Sequence, residues 1–158
     1  MNCSTSKKKS DMLIDLSDNC PKNDKCTIVL HKNKSLNIKI DETGAKYFQL
    51  LDNEITSVIE YTYQKKVDET LQDANYTEDV IFEIPNDAKN INLVDKELQS
   101  TKMIFGRHCY CKGQAGYFNV MTGKLKLTKD SNQIYINLEF EVNEVPQEIT
   151  SISKIIKL

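Results

Sequence analysis

Apolar and polar residues alternate with a period of two along most of the chain. The clearest run extends from Ile134 to Val142, where every second residue is apolar and most residues between are polar. Because successive side chains of a β-strand point to opposite faces, this run predicts a half-buried antiparallel strand. We expect Ile136, Leu138 and Phe140 to lie in the core.

Shorter runs with the same period predict further strands, about eight or nine in total. They lie at 27–30, 36–40, 46–51, 57–65, 80–84, 117–121, 124–128 and 149–156, and a short edge strand is predicted near 12–16. The first two runs flank residues 32–34 and are expected to pair as one hairpin. In the run 57–65, Ile59, Tyr61 and Tyr63 share one face.

One short helix is predicted between these runs. The spacing of apolar residues from Val94 to Phe105 indicates one helical face. Asp95 and Glu97 suit the helix N-terminus, and Gly106 suits the position just beyond its end.

Short, closely spaced strands favour an antiparallel meander over a parallel βαβ sheet. Residues 68–79 lack a hydrophobic pattern and are expected to form a loop or one weak helical turn. The sequence therefore predicts a mainly β fold, either an antiparallel β-sandwich or a small β-barrel, with one short helix. Residues 1–10 are small, polar or basic, which predicts a flexible leader before a single β domain at 11–158.

Composition and charge narrow the function classes. The chain has 158 residues, and its 21 basic and 23 acidic residues give a net charge of −2. Basic residues cluster only at Lys7, Lys8 and Lys9, so nucleic acid is not expected as a partner. No stretch approaches the roughly 20 continuous apolar residues that span a bilayer.

Four of the five cysteines form two close pairs, Cys20 with Cys26 and Cys109 with Cys111, and Cys3 is left over. In an oxidising compartment the four can form two disulfides. A local Cys20–Cys26 bridge is favoured slightly over cross-pairing of the two clusters. Side chains two residues apart on an extended strand are too far separated to bond easily, which speaks against a Cys109–Cys111 bridge.

The segment from Phe105 to Tyr117 is the most unusual in composition and gives the candidate binding residues. These are Arg107, His108, Tyr110, Lys112 and Tyr117. On a strand, His108 points away from Cys109 and Cys111, and Cys-x-Cys is not the usual zinc-ligand spacing. Neither a metal site nor a catalytic Cys/His pair is therefore expected, and no cofactor is indicated.

Other chemistry-bearing residues receive ordinary structural interpretations. His31 follows an apolar run and precedes a lysine-rich stretch, which predicts a solvated histidine. Glu139 and Glu141 share the polar face of a strand and are expected to face solvent. The stretch from Gly113 to Gly116 lacks the residues of a phosphate-binding loop and is expected to be a turn.

The leader, in which Cys3 is followed by Ser-Thr-Ser-Lys-Lys-Lys-Ser, resembles the mature N-terminus of a bacterial lipoprotein. The blocks Asn19-Cys-Pro, Leu51-Asp-Asn and Phe105-Gly-Arg-His-Cys-Tyr-Cys-Lys-Gly are similar to those of small uncharacterised lipoproteins from the Bacteroidetes group, including flavobacteria. This resemblance implies a signal peptide before Cys3, a lipid on the Cys3 thiol and a location in the cell envelope. The chain itself begins Met-Asn-Cys and has no hydrophobic lipobox.

Three functions follow as expectations. The first is a non-catalytic envelope module for binding or assembly, held at the membrane by Cys3, with an envelope protein or a small ligand as its partner. The second is a ligand-binding or inhibitory β-barrel. The third is a small enzyme or metal protein centred on His108, Cys109 and Cys111.

Overall fold

The computed structural model describes residues 12–15, 20–66, 70 and 75–158. The predicted leader and its Cys3 lie outside the described residues. The described strands are β1 (Met12–Asp15), β2 (Lys25–His31), β3 (Lys34–Ile40), β4 (Lys46–Asp52), β5 (Thr56–Gln64), β6 (Tyr76–Pro85), β7 (Asn90–Val94), β8 (Ile104–Cys109), β9 (Gly116–Asn119), β10 (Thr122–Lys129), β11 (Gln133–Glu141) and β12 (Ser151–Lys157). Two 3-10 segments span Pro21–Asn23 and Asp95–Thr101.

The strands form two main sheets and a separate hairpin. The large sheet has the order β1-β2-β5-β6-β8-β9, and the small sheet has the order β12-β11-β10-β7. Strands β3 and β4 pair only with each other. All strand pairings are antiparallel.

The main core lies between the two sheets. From β5 it receives Ile59, Tyr61 and Tyr63, and from β11 it receives alternate residues that include Leu138, which is fully buried. The edge strands of one sheet do not pair with those of the other, so the sheets do not close into a barrel. The predicted mainly β fold is confirmed, and of its two forms the sandwich is the one observed.

The β3–β4 hairpin adds a third layer on the outer face of the large sheet. Its Leu36 packs against Val58, Ile81 and Ile104, one from each of β5, β6 and β8. These strands are therefore covered on both faces where the hairpin lies.

Several local predictions differ from the structure. Strands β2 and β3 do not form a hairpin, because both edges of β2 are taken by β1 and β5. The predicted helix is a 3-10 helix that ends at Thr101, since Lys102 adopts a left-handed conformation with φ of 57°. Phe105 and Gly106 belong to β8 instead. Tyr76, placed in a predicted loop, begins β6.

The helical segments are short. The longer of the two described segments has seven residues, and no helix in the described ranges has the length and apolar character needed to cross a bilayer.

Candidate functional site

A cluster of titratable side chains occupies the outer face of the large sheet beside the hairpin. We call it the histidine face, and its members are His31, Glu60, Asp79, His108 and Tyr117. They come from five strands: β2, β5, β6, β8 and β9. Their neighbours in sequence point into the main core, so the alternation of each strand places these side chains on the opposite side.

His108 and Asp79 form the first hydrogen-bonded pair of this face. Gly106 lies opposite Asp79 in the β6–β8 register, so His108 is a diagonal neighbour of Asp79. The Nε2 of His108 lies 2.8 Å from the Asp79 carboxylate. An ionised carboxylate can accept hydrogen bonds but cannot donate them, so the imidazole donates to it through Nε2. The Asp79 side chain is only 12% exposed, whereas that of His108 is 39% exposed.

His31 and Glu60 form a second pair of the same kind. Their Nε2 and carboxylate oxygen are 2.8 Å apart, and the His31 side chain is 12% exposed. The prediction that His31 is a solvated histidine is therefore wrong. Its position at the end of β2 places it diagonally across from Glu60 on β5. Both histidines of the chain thus contact a carboxylate on one sheet face.

Gly106 lies beneath the Tyr117 and His108 side chains of this face. A Cβ atom at Gly106 would lie 2.6 Å from Cε1 of Tyr117 and 2.8 Å from Nε2 of His108. The Tyr117 ring packs edge-on against His108, with ring centroids 5.1 Å apart, and against Phe48 of the hairpin at 5.6 Å. The lack of a side chain at Gly106 therefore lets both rings lie close to the sheet backbone.

The electrostatic environment of the histidine face is acidic. Burial, together with the smaller effect of the Asp79 and Glu60 charges, raises the pKa of Tyr117 to about 12. Both carboxylates therefore act on the Tyr117 hydroxyl. A group that binds here meets hydrogen-bond acceptors and negative potential.

Arg107 lies on the other side of β8, at the rim of the main core. Its Nε donates to the Tyr76 hydroxyl at 3.1 Å, and its guanidinium lies over the Tyr76 ring. Its Nη1 lies 3.2 Å from the Cys109 sulfur, 3.1 Å from the Cys111 sulfur and 2.9 Å from the Gln114 carbonyl oxygen. Arg107 is 9% exposed, so these contacts fix its charge beside the two sulfurs.

The cysteines pair locally in both clusters. Cys20 bonds to Cys26, as the favoured alternative expects, with Cα atoms 5.5 Å apart. Cys109 bonds to Cys111, with Cα atoms 5.2 Å apart, so cross-pairing is not the arrangement found. The expectation that these two could not bond is wrong because β8 ends at Cys109 and the chain bends at Tyr110.

The structure divides the predicted binding residues among three places. His108 and Tyr117 meet on the histidine face, and Arg107 lies on the core side. Tyr110 is 85% exposed in the β8–β9 loop, where Lys112 is also exposed. The residues that sequence reasoning missed are His31, Glu60, Asp79 and Gly106.

No family model, curated protein or solved structure matches this chain. The site therefore has to be interpreted from its own geometry.

Two surface clefts are lined by residues other than those of the histidine face. One of about 300 Å³ is lined by Lys32, Asn86 and Lys129 among others, and a more open one of about 560 Å³ is lined by Asp95 and Glu139 among others. Within the described ranges, no group of three or more His, Cys, Asp or Glu side chains converges as metal ligands would. The chemistry-bearing residues thus sit on an open sheet face and its adjoining loop.

Proposed function

We propose that this chain is a non-catalytic binding or assembly module of the cell envelope, anchored by a lipid on Cys3. In this proposal Tyr110 and the histidine face form the surface that contacts the partner. The observation that carries it is the presentation of Tyr110, an aromatic side chain that is 85% exposed and lies two residues after His108 in the chain.

The loop that bears Tyr110 is held in place on both sides. The Cys109–Cys111 bond closes the chain around it, and Arg107 binds the carbonyl oxygen of Gln114 at 2.9 Å. A tyrosine on a fixed loop loses little conformational entropy when it binds, and it offers both an apolar ring and a hydroxyl group. Such side chains are enriched among the residues that dominate binding energy at protein interfaces.

The charge of the histidine face supports a partner of defined chemistry. Burial is the largest cause of the raised pKa of Tyr117, and the charges of Asp79 and Glu60 add to it. A lysine or arginine side chain of an envelope protein would complement this potential and donate hydrogen bonds to the carboxylates. We therefore favour a basic surface on a protein partner over a small apolar ligand.

The envelope location rests on the resemblance of the leader to lipoproteins. Cys3 would carry the lipid, and Lys7, Lys8 and Lys9 would lie near anionic headgroups. Metabolic labelling with an alkyne fatty acid, from a gene with its native upstream region, should label the protein. Cys3→Ser should abolish the label, and labelling that survives this substitution would contradict the anchor.

Binding is tested by photo-crosslinking in the envelope fraction. A benzophenone amino acid at position 110 should give one dominant protein adduct, and the same group at position 135 should not. Tyr135 is an exposed tyrosine on the small sheet and serves as the matched control. The adduct at 110 should weaken at least about tenfold with Asp79→Asn, since loss of one hydrogen-bonded charge costs more than 1.4 kcal/mol. Equal capture at the two positions, or an adduct indifferent to Asp79→Asn, would refute this surface.

The packing between the sheets is a reason to prefer a surface binding module over a ligand-binding or inhibitory β-barrel. The space between the sheets is filled by the side chains of the main core. A ligand would therefore have to bind on the surface or through a loop.

A further inference from the structure

The two disulfides of this protein lie in different environments. Cys26 is fully buried and Cys20 is 8% exposed, so their bond is shielded from solvent. Cys109 and Cys111 are both partly exposed, and the residue between them is the most exposed large hydrophobic side chain of the described residues. An external thiol can therefore approach the second bond far more easily than the first.

The Cys109–Cys111 bond also contributes little to holding the fold. It joins residues two apart, whereas the stabilisation by a disulfide grows with the length of the loop that it closes. Strand β8 pairs with β6 up to Cys109 and with β9 up to Arg107, and these backbone pairings do not involve the sulfurs. Opening the bond leaves those strand pairings intact, so the oxidised and reduced forms are compatible with one fold.

Arg107 holds a permanently charged guanidinium group beside both sulfurs. Its Nη1 lies 3.2 Å from Cys109 Sγ and 3.1 Å from Cys111 Sγ. The contacts of Arg107 with Tyr76 and Gln114 hold the guanidinium there. An adjacent arginine stabilises a thiolate, which is the nucleophile in thiol exchange and also its leaving group.

We propose that Cys109 and Cys111 form a redox-active disulfide that exchanges with an external dithiol, with Arg107 stabilising the thiolate that is released. This activity does not depend on the binding function proposed above. The co-reactant is any small molecule or protein that carries two neighbouring thiols.

The exchange takes place in two steps. A thiolate of the dithiol attacks one sulfur of the pair; an intermolecular S–S bond forms, the Cys109–Cys111 bond breaks, and the electron pair leaves on the other cysteine as a thiolate beside Arg107. The second thiolate of the dithiol then attacks the dithiol sulfur of the mixed disulfide. An S–S bond forms within the dithiol, the intermolecular S–S bond breaks, and the second cysteine leaves as a thiolate. The dithiol leaves as a disulfide, and both cysteines are reduced. Two electrons and two protons have passed from the dithiol to the protein.

The test uses dithiothreitol as the dithiol and the Cys20–Cys26 bond as the internal control. The chain carries Cys3→Ser so that the leader thiol cannot take part. After incubation at graded ratios of reduced to oxidised dithiothreitol, acid quenching and alkylation, mass spectrometry measures each pair. We expect the Cys109–Cys111 bond to open at ratios that leave Cys20–Cys26 closed, while circular dichroism shows a folded protein. Opening of both bonds together, or only on unfolding, would overturn the proposal.

The role of Arg107 is tested by the rate of opening. Arg107→Gln should slow opening at neutral pH about threefold or more, because the thiolate loses a charge about 3 Å away. Arg107→Lys should recover part of the rate, and Lys126→Gln, which removes an exposed charge from the other sheet, should not change it. If Arg107→Gln and Lys126→Gln opened at the same rate, Arg107 would have no role in the mechanism. In case Arg107→Gln does not fold, the ultraviolet absorbance of the thiolate in the reduced wild-type protein, followed against pH and salt, gives an independent measure of the charge effect. A titration midpoint at the value of a free cysteine would then count against it.

Discussion

Replacing Gly106 with alanine tests whether the histidine face depends on a bare backbone beneath it. The new Cβ would lie 2.6 Å from the Tyr117 ring and 2.8 Å from Nε2 of His108, closer than packed atoms can approach. The Tyr117 ring cannot move freely because Phe48 packs against it. His108 can give way only by leaving the Asp79 carboxylate.

The expected cost follows from two opposing contributions. Adding a methyl group to a packed site costs about 1–3 kcal/mol. Replacing a glycine inside a strand recovers roughly 0.5–1 kcal/mol, because the unfolded chain loses freedom. Gly106→Ala should therefore lower the free energy of unfolding by about 1 kcal/mol, and by no more than roughly 2.5 kcal/mol, measured by urea denaturation.

The ring nitrogens of His108 provide the second measurement. Their NMR resonances report the hydrogen bond to Asp79 and should change in Gly106→Ala. Gly113→Ala is the control, because no heavy atom lies within 4 Å of its Cβ position and any cost there comes from its φ of +75°. Unchanged stability together with unchanged His108 resonances in Gly106→Ala would refute this account of the site.

Three further predictions concern the fold. Leu138→Ala should lower the free energy of unfolding by about 2–4 kcal/mol, because Leu138 is fully buried at the centre of the small sheet, and a near-neutral value in urea denaturation would contradict its core position. Burial alone would raise the pKa of Asp24, but hydrogen bonds from the Tyr63 hydroxyl and other donors lower this pKa below its ordinary 3.8. The stability of the wild-type protein should therefore fall as the pH drops below about 4. Asp24→Asn should make this fall less steep in acid denaturation curves. Replacing both Cys20 and Cys26 with serine should cost about 2 kcal/mol in the same assay, since their bond closes a short loop, and a loss within error would show that the bond does not stabilise the fold.

Strands with one solvent-facing side were predictable from sequence. The run at 134–142 corresponds to β11 (Gln133–Glu141), and its alternating burial matches the predicted faces. The pattern suffices there because the outer face of the small sheet is solvated, so polar residues mark every second position.

Strands covered on both sides were harder to recognise. Ile104 packs under the hairpin and Phe105 packs in the main core, so the start of β8 carries two apolar residues in succession and no alternation. For this reason the sequence pattern predicts a helix that includes Phe105 and ends before Gly106, where the structure has a strand. A continuous apolar run does not distinguish a buried strand from a helix.

The histidine face could not be predicted for a different reason. His108 and Asp79 are 29 residues apart, as are His31 and Glu60, and each pair depends on the register between two strands. A shift of one residue in that register would send the partner to the other face. The local composition around His108 indicates an unusual segment, but nothing near it in sequence indicates a carboxylate partner.

The alternation of β8 explains why its unusual composition does not form one site. Gly106 and His108 face the hairpin side, whereas Arg107 and Cys109 face the core side, where Arg107 contacts the sulfur. The imidazole is engaged by Asp79 and the guanidinium by the two sulfurs, so each group already has a partner on its own face. One strand thus carries the His108–Asp79 pair on one side and the Cys109–Cys111 disulfide beside a fixed positive charge on the other. In the two proposals above, the β8–β9 loop serves both the binding and the thiol exchange, because Tyr110 lies between the two cysteines and directly follows the end of β8.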